Sequence, residues 1–352
     1  PDVDEPNTAT AGTMIGSYNA WADGYTGAGS RVAIIDTGLD IDHPSFDESA
    51  FLYGLERSAA RFGKQVSDYD LMTEEDITKV LPRLHASERM SGLTADELYR
   101  TAKIPYAFNY IDEDLDVTHD NDAQGDHGTH VAGIATANRY VENADGTYTY
   151  ADNGVVGVAP DAQVVVMKVF GKNGGAYESD YLVAIEDAIV LKCDSINLSL
   201  GSPNPGVSQN DQKEYQAILD RLAQCGVVVA IAAGNASSWV AEAQNAGYLY
   251  ADDVSMDMVG SPGSYTNSLC VASIDNAGVT GEYFTVGENV VVYTQSTGFK
   301  NQPLATIAGE HEYLLIDGVG TEEEFSAIAG ELEGKIAVCS RGTTSFYQKA
   351  EA

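Results

Sequence analysis

Basic residues are scarce in this chain. Nineteen lysines and arginines face 53 aspartates and glutamates among 352 residues, giving a formal net charge of −34 and an isoelectric point near 4.2. So acidic a surface excludes charge-driven binding to nucleic acid or to anionic membrane, and favours neutral or cationic polypeptide partners. Cysteine is sparse as well. Cys193, Cys225, Cys270 and Cys339 lack the paired spacing that a zinc site or a redox pair needs, so they read as buried free thiols behaving as small hydrophobes. No apolar run approaches the roughly 20 residues of a membrane span. No secretory leader is evident, and the first residue is Pro1 rather than Met, which fits a processed mature form. Internal repeats and low-complexity tracts are also missing.

What is present is an ordinary apolar fraction, 44%, in a length that accommodates one large α/β domain and a smaller one. Residues 1–30 are polar and glycine-rich and read as an N-terminal arm. At Arg31 the texture changes to a continuous run, Val32-Ala33-Ile34-Ile35, of the kind a strand buried on both faces shows. Further runs follow: QVVVMKVF (163–170), SINLSL (195–200) and VVVAIAA (227–233). Amphipathic stretches lie between them, marked by Leu182, Ile185 and Ile189, then by Tyr215, Ile218, Leu222 and Cys225. Strands alternating with helices predict βαβ units, hence a doubly wound parallel sheet with helices on both faces. Residues 48–104 are polar and helix-prone and read as a surface insertion. The main domain is expected over 31–290, and 291–352 reads as the incomplete start of a small β-rich module.

The candidate chemistry sits at strand ends. Asp36 closes the first apolar run in Asp36-Thr37-Gly38, where open α/β sheets place ligand chemistry, although a lone Asp there reads equally as a turn residue. GDHGTHVAGIATAN (125–138) puts His127 at or near the first turn of a tightly packed helix, as a general base near neutral pH requires. His130, three residues on, reads as a packing residue. Ser199-Leu200-Gly201 and Ala232-Ala233-Gly234-Asn235 end two further strands, with the Asn235 amide free to reach a crevice. Asp112, Asp114 and Asp116 alternate in an acidic run from Asp112 to Asp126. They offer hard oxygen ligands of the kind calcium takes, but without a complete calcium-loop spacing. A solvated acidic loop is the simpler reading.

Together these segments identify a resemblance. AIIDTGLDIDHPSF around Asp36 and DHGTHVAGIA around His127 resemble the aspartate and histidine segments of the subtilisin-like serine proteases, the subtilases. SLG at Ser199–Gly201 and AAGN ending at Asn235 resemble the substrate-binding and oxyanion segments. The likeness covers roughly residues 15–275. The part after about 290 looks like the protease-associated insert. With the long interval from Asp36 to His127, this is similar to the lactocepin-like and complement-cleaving cell-envelope proteinases of Gram-positive bacteria.

The resemblance implies a secreted or cell-wall-attached endopeptidase acting on polypeptides by an Asp-His-Ser triad without a required cofactor. Asp36 would orient His127, Asn235 would donate to the oxyanion, and Ser199, Leu200, Gly201 and Gly234 would bind substrate. The family's nucleophile segment, Gly-Thr-Ser followed by small residues and Pro, is missing. GTTSFYQKA (342–350) lacks that continuation, so Ser345 is not expected to serve. The serine is expected beyond Ala352, on a separate or missing C-terminal fragment that would be this chain's partner, and this chain alone is expected to be inactive. A non-catalytic pseudo-protease or binding module is the alternative.

Overall fold

The computed structural model describes residues 8–119, 125–151, 156–205, 213–234, 259–274, 281–293, 304–340 and Lys349. In chain order these begin with α1 (Thr8–Ile15), α2 (Ser17–Ala22), β1 (Arg31–Asp36), α3 (Glu48–Arg61), α4 (Glu74–Val80), α5 (His85–Arg89), α6 (Ala95–Leu98), β2 (Tyr106–Asn109) and α7 (His127–Thr136). A hairpin, β3 (Tyr140–Glu142) and β4 (Tyr148–Tyr150), leads to β5 (Gln163–Lys168), α8 (Glu178–Val190), β6 (Ser195–Leu198) and β7 (Ser202–Pro205). Then come α9 (Lys213–Cys225), β8 (Val228–Ala232), β9 (Gly260–Ser261) and β10 (Leu269–Val271).

Six of these strands pair in the order β10-β8-β6-β1-β5-β2, every pairing parallel. The apolar runs predict this, because only a sheet covered on both faces lets consecutive residues all be buried. Side chains of successive residues leave a strand on opposite faces. Ala33 and Ile35 of β1, Val165 and Met167 of β5 and Tyr106 and Phe108 of β2 join one core with residues of α8 and α9. Ile34, Val164, Val166 and Ala107 join the other, with Ala132 of α7. The sheet is thus doubly wound, as expected, and all its carboxyl ends share one edge.

Residues 48–104 depart from expectation. They are not a surface insertion: Phe51, Leu55, Ile77, Leu84 and Leu98 are all at most 1% exposed. Ile77, Leu84 and Leu98 belong to the same core as β1 and α8. Polar groups fasten the segment as well. The Gln163 side chain accepts from Met72 N (2.7 Å) and donates to the Met72 and Ala102 carbonyls. The buried Asp187 carboxylate of α8 accepts from His85 N, Ala86 N and the Tyr110 hydroxyl. Short helices with capped starts, such as the Thr73–Asp76 capping box on α4, keep the exterior polar while each contributes one or two apolar side chains inward.

Lys103 is fully buried. Its Nζ donates to the carbonyls of Thr136 (2.7 Å), Pro160 (3.0 Å) and Ala162 (2.8 Å), joining the end of α7 to the turn that enters β5.

The described residues divide into two units, 1–279 and 280–352. The division falls before the expected boundary at 290, because the hairpin β11 (Tyr283–Val286) and β12 (Asn289–Val292) belongs to the second unit. That unit also holds β13 (Tyr313–Ile316), α10 (Glu322–Ile328) and β14 (Ile336–Cys339), with β13 and β14 parallel. The cysteines correct a second expectation. All four are free, but only Cys193 is buried; Cys225, at the end of α9, and Cys270, in the terminal strand of the sheet, are exposed, and Cys339 is half-buried.

Candidate active site

Asp36 is the last residue of β1 and is fully buried. His127 is the first residue of α7, with its side chain 47% exposed. Its Nδ1 lies 2.7 Å from Asp36 Oδ1. That contact is charge-assisted, and it holds the His127 pKa above the usual histidine value of 6.5, against the opposing effect of partial burial. With Nδ1 engaged by Asp36, Nε2 is the nitrogen left for chemistry.

The two segments are stitched together by groups the sequence did not single out. Gly128 N donates to Thr37 Oγ1 (2.8 Å), Thr37 Oγ1 donates to the Gly125 carbonyl (3.2 Å), and Asp40 N donates to Thr129 Oγ1 (2.9 Å). Thr37 N donates to Asp36 Oδ1 at 2.7 Å, so that oxygen serves two donors. Oδ2 is buried and has no partner among the described residues. Two glycines make the approach possible. A Cβ on Gly38, whose φ is +111°, would meet the Val117 carbonyl oxygen at 2.1 Å, and one on Gly128 would meet the Gly38 carbonyl oxygen at 2.3 Å. The signal was in the sequence: a threonine inside each glycine-flanked triplet, DTG and HGT.

On the neighbouring strands, Ile34 pairs with Asn197 and Leu198 with Ile231. Two residues past the first pair stand Asp36 and Ser199, so Ser199, Leu200 and Gly201 leave the sheet beside the acid. The Asn197 amide donates to Ser199 Oγ (2.9 Å) and Leu200 is buried. Gly201 runs directly into β7, which pairs antiparallel with β9, and a Cβ at Gly201 would come 2.9 Å from the Ser261 carbonyl oxygen. Gly234 follows β8 at the same edge with φ +100°, a conformation that suits glycine. Asn235 lies outside the described residues, as does Ser345.

His130 is exposed rather than packed, since it lies on the solvent side of α7's first turn. The acidic loop uses its carboxylates internally: Asp114 accepts from Asp116 N, Asp116 accepts from Thr118 N and Oγ1, and Asp112 accepts from the Asn109 amide. Among the described residues, no three His, Cys, Asp or Glu side chains converge as a metal site would require.

The sequence profile of the subtilase family matches residues 27–350. The chain is 27% identical to a PII-type proteinase of Lacticaseibacillus paracasei over 98% of its own length and 17% of that protein's. It is 26% identical to the minor extracellular protease Vpr of Bacillus subtilis, over 99% of this chain and 33% of that one. With a C5a peptidase of Streptococcus pyogenes the figures are 28%, 92% and 24%. The chain therefore spans about a sixth to a third of the length of these relatives.

Proposed function

The chain belongs to the subtilase family, and from that premise we propose that it forms the acid-base half of a serine endopeptidase. One observation carries the reading: His127 Nδ1 held 2.7 Å from a fully buried carboxylate, at the edge of a parallel sheet where three strand ends converge. In the proposed mechanism Asp36 fixes the imidazole tautomer and stabilises the imidazolium as it forms. His127 Nε2 takes the proton of the attacking serine hydroxyl and returns it to the leaving amine nitrogen. Asn235 donates its amide to the oxyanion, an interaction whose loss costs on the order of 10²–10³ in rate. Ser199, Leu200, Gly201 and Gly234 offer main-chain groups to an extended polypeptide, pairing with it strand to strand. All steps so assigned are carried by side-chain and main-chain groups.

The nucleophile segment is absent from residues 1–352, and the relatives are about three to six times as long as the part that matches. We therefore assign the serine to sequence outside residues 1–352, on the same or a companion polypeptide. Location outside the cell is supported by the name of the Bacillus relative, an extracellular protease.

The test is hydrolysis of an unfolded polypeptide by the full-length protein and its His127→Ala variant. A fall in kcat on the order of 10⁵–10⁶ is expected, since triad members act as a unit. No hydrolysis by the wild type would sink the enzyme reading and favour the binding-module alternative.

A further inference from the structure

The edge of the sheet opposite the Asp36–His127 pair carries a cavity of about 480 Å³. It opens beside the turn where Asp161 N donates to the Thr26 carbonyl, just before β1 and β5 begin. Its walls are Trp21, Phe62 and Tyr140, and it gathers Arg57, Arg61 and Arg139. Three of the 19 basic residues of a chain with net charge −34 thus meet at one hollow.

Each guanidinium is placed by an aromatic face rather than by a carboxylate. Arg139 stands 5.1 Å from the Trp21 ring centre, Arg57 5.5 Å from Tyr53 and 5.9 Å from Tyr140, and Arg61 5.4 Å from Phe62. The rings are themselves held. Trp21 Nε1 donates to the Val158 carbonyl (2.8 Å), and Tyr53 and Tyr140 meet edge to face at 5.0 Å. No acidic side chain lies in ion-pair range of any of the three arginines among the described residues. The nearby carboxylate, Asp161, is buried and accepts the Ser58 hydroxyl at 2.6 Å. Among the described residues Arg139 reaches only Ser58 Oγ, at 3.4 Å, while its Nε and Nη2 are buried without a hydrogen-bond partner there. A cation so poorly solvated raises the positive potential of the hollow. Arg57 and Arg61, exposed and one helical turn apart on α3, add to that potential and repel one another until an anion lies between them.

We propose that this cavity binds a small organic anion, a carboxylate or phosphate carried on a planar or apolar body. The arginines would take the charge and the aromatic walls the body. α7 separates the two sites: His127 opens it, and Arg139 follows its end by three residues, after about 15 Å of helix.

Calorimetric titration of the full-length protein with benzoate, phenyl phosphate and benzyl alcohol tests the assignment. Saturable binding of benzoate or phenyl phosphate is expected, weakened by salt and by at least about tenfold in the Arg57→Gln/Arg61→Gln double variant. Those two side chains are exposed, so the variant keeps the wild-type unfolding temperature. Arg139→Gln is expected to abolish binding while peptide hydrolysis persists. Benzoate alone binding assigns a carboxylate ligand, phenyl phosphate alone a phosphate. Benzyl alcohol binding as tightly as the anions, affinities unchanged in both variants, or no saturable heat with any probe would each overturn the proposal.

Discussion

Asp36 and His127 stand 91 positions apart in the chain, yet the buried carboxylate receives the imidazole at 2.7 Å. A strand end and a helix start deliver them, and two glycines let the backbones close to contact. Asp36→Asn keeps the side chain's shape but offers an amide donor to Nδ1, which favours the wrong tautomer. The expected outcome is a well-folded protein whose kcat falls by about 10⁴, measured on the full-length enzyme with a peptide substrate.

The same contact sets the pH dependence. Because Asp36 favours the imidazolium, His127's folded-state pKa lies above 6.5. Its contribution to stability is therefore complete below the unfolded value and lost as pH rises through the folded one. Catalysis needs the neutral ring, so kcat/KM is expected to climb with pH on a limb lying above 6.5. In Asp36→Asn that limb moves to lower pH. A limb at the same position in both proteins would show that another group titrates.

The two glycines of α7 make opposite predictions. At Gly128 a methyl group would meet the Gly38 carbonyl oxygen at 2.3 Å, and backbone cannot swing aside. Gly128→Ala is expected to cost about 1–3 kcal/mol and to spread the Asp36–His127 pair. Gly133, in the same helix, has nothing within 4 Å of such a methyl. Gly133→Ala is expected to stabilise by about 0.5–1 kcal/mol with activity intact. Chemical denaturation midpoints distinguish the two.

Lys103 is a structural tie rather than a reactive lysine. Lys103→Met leaves three buried carbonyls without a donor, and a loss on the order of 3 kcal/mol is expected at about 1 kcal/mol each. A change within about 0.5 kcal/mol would mean that water replaces the ammonium there.

The central sheet was legible because its signal is local: Val32–Ile35 and Val164–Met167 are apolar throughout, as a doubly covered parallel strand is. Asp36 and His127 were legible through their glycine-flanked settings. Residues 48–104 misled because their burial is sparse. Ile77 and Leu98 each anchor a short helix whose other faces are polar, so composition reported the surface and missed the anchors. Cys225 and Cys270 misled for the converse reason, since an apolar neighbourhood in sequence says nothing about which face of α9 or which position in the sheet a thiol takes. Thr37 and Thr129 went unassigned because their partners are 88 or more positions away. The arginine-lined cavity could not be read at all, for Arg57, Arg61 and Arg139 converge only after the sheet has formed.

In the proposed enzyme Asp36 and His127 supply acid and base to a serine lying outside residues 1–352. The most direct measurement is fluorophosphonate labelling of the full-length protein, with the labelled residue located by peptide mapping. One modified serine is expected, outside residues 1–352, with its labelling lost in His127→Ala. A label within residues 1–352, or labelling indifferent to the loss of His127, would contradict it.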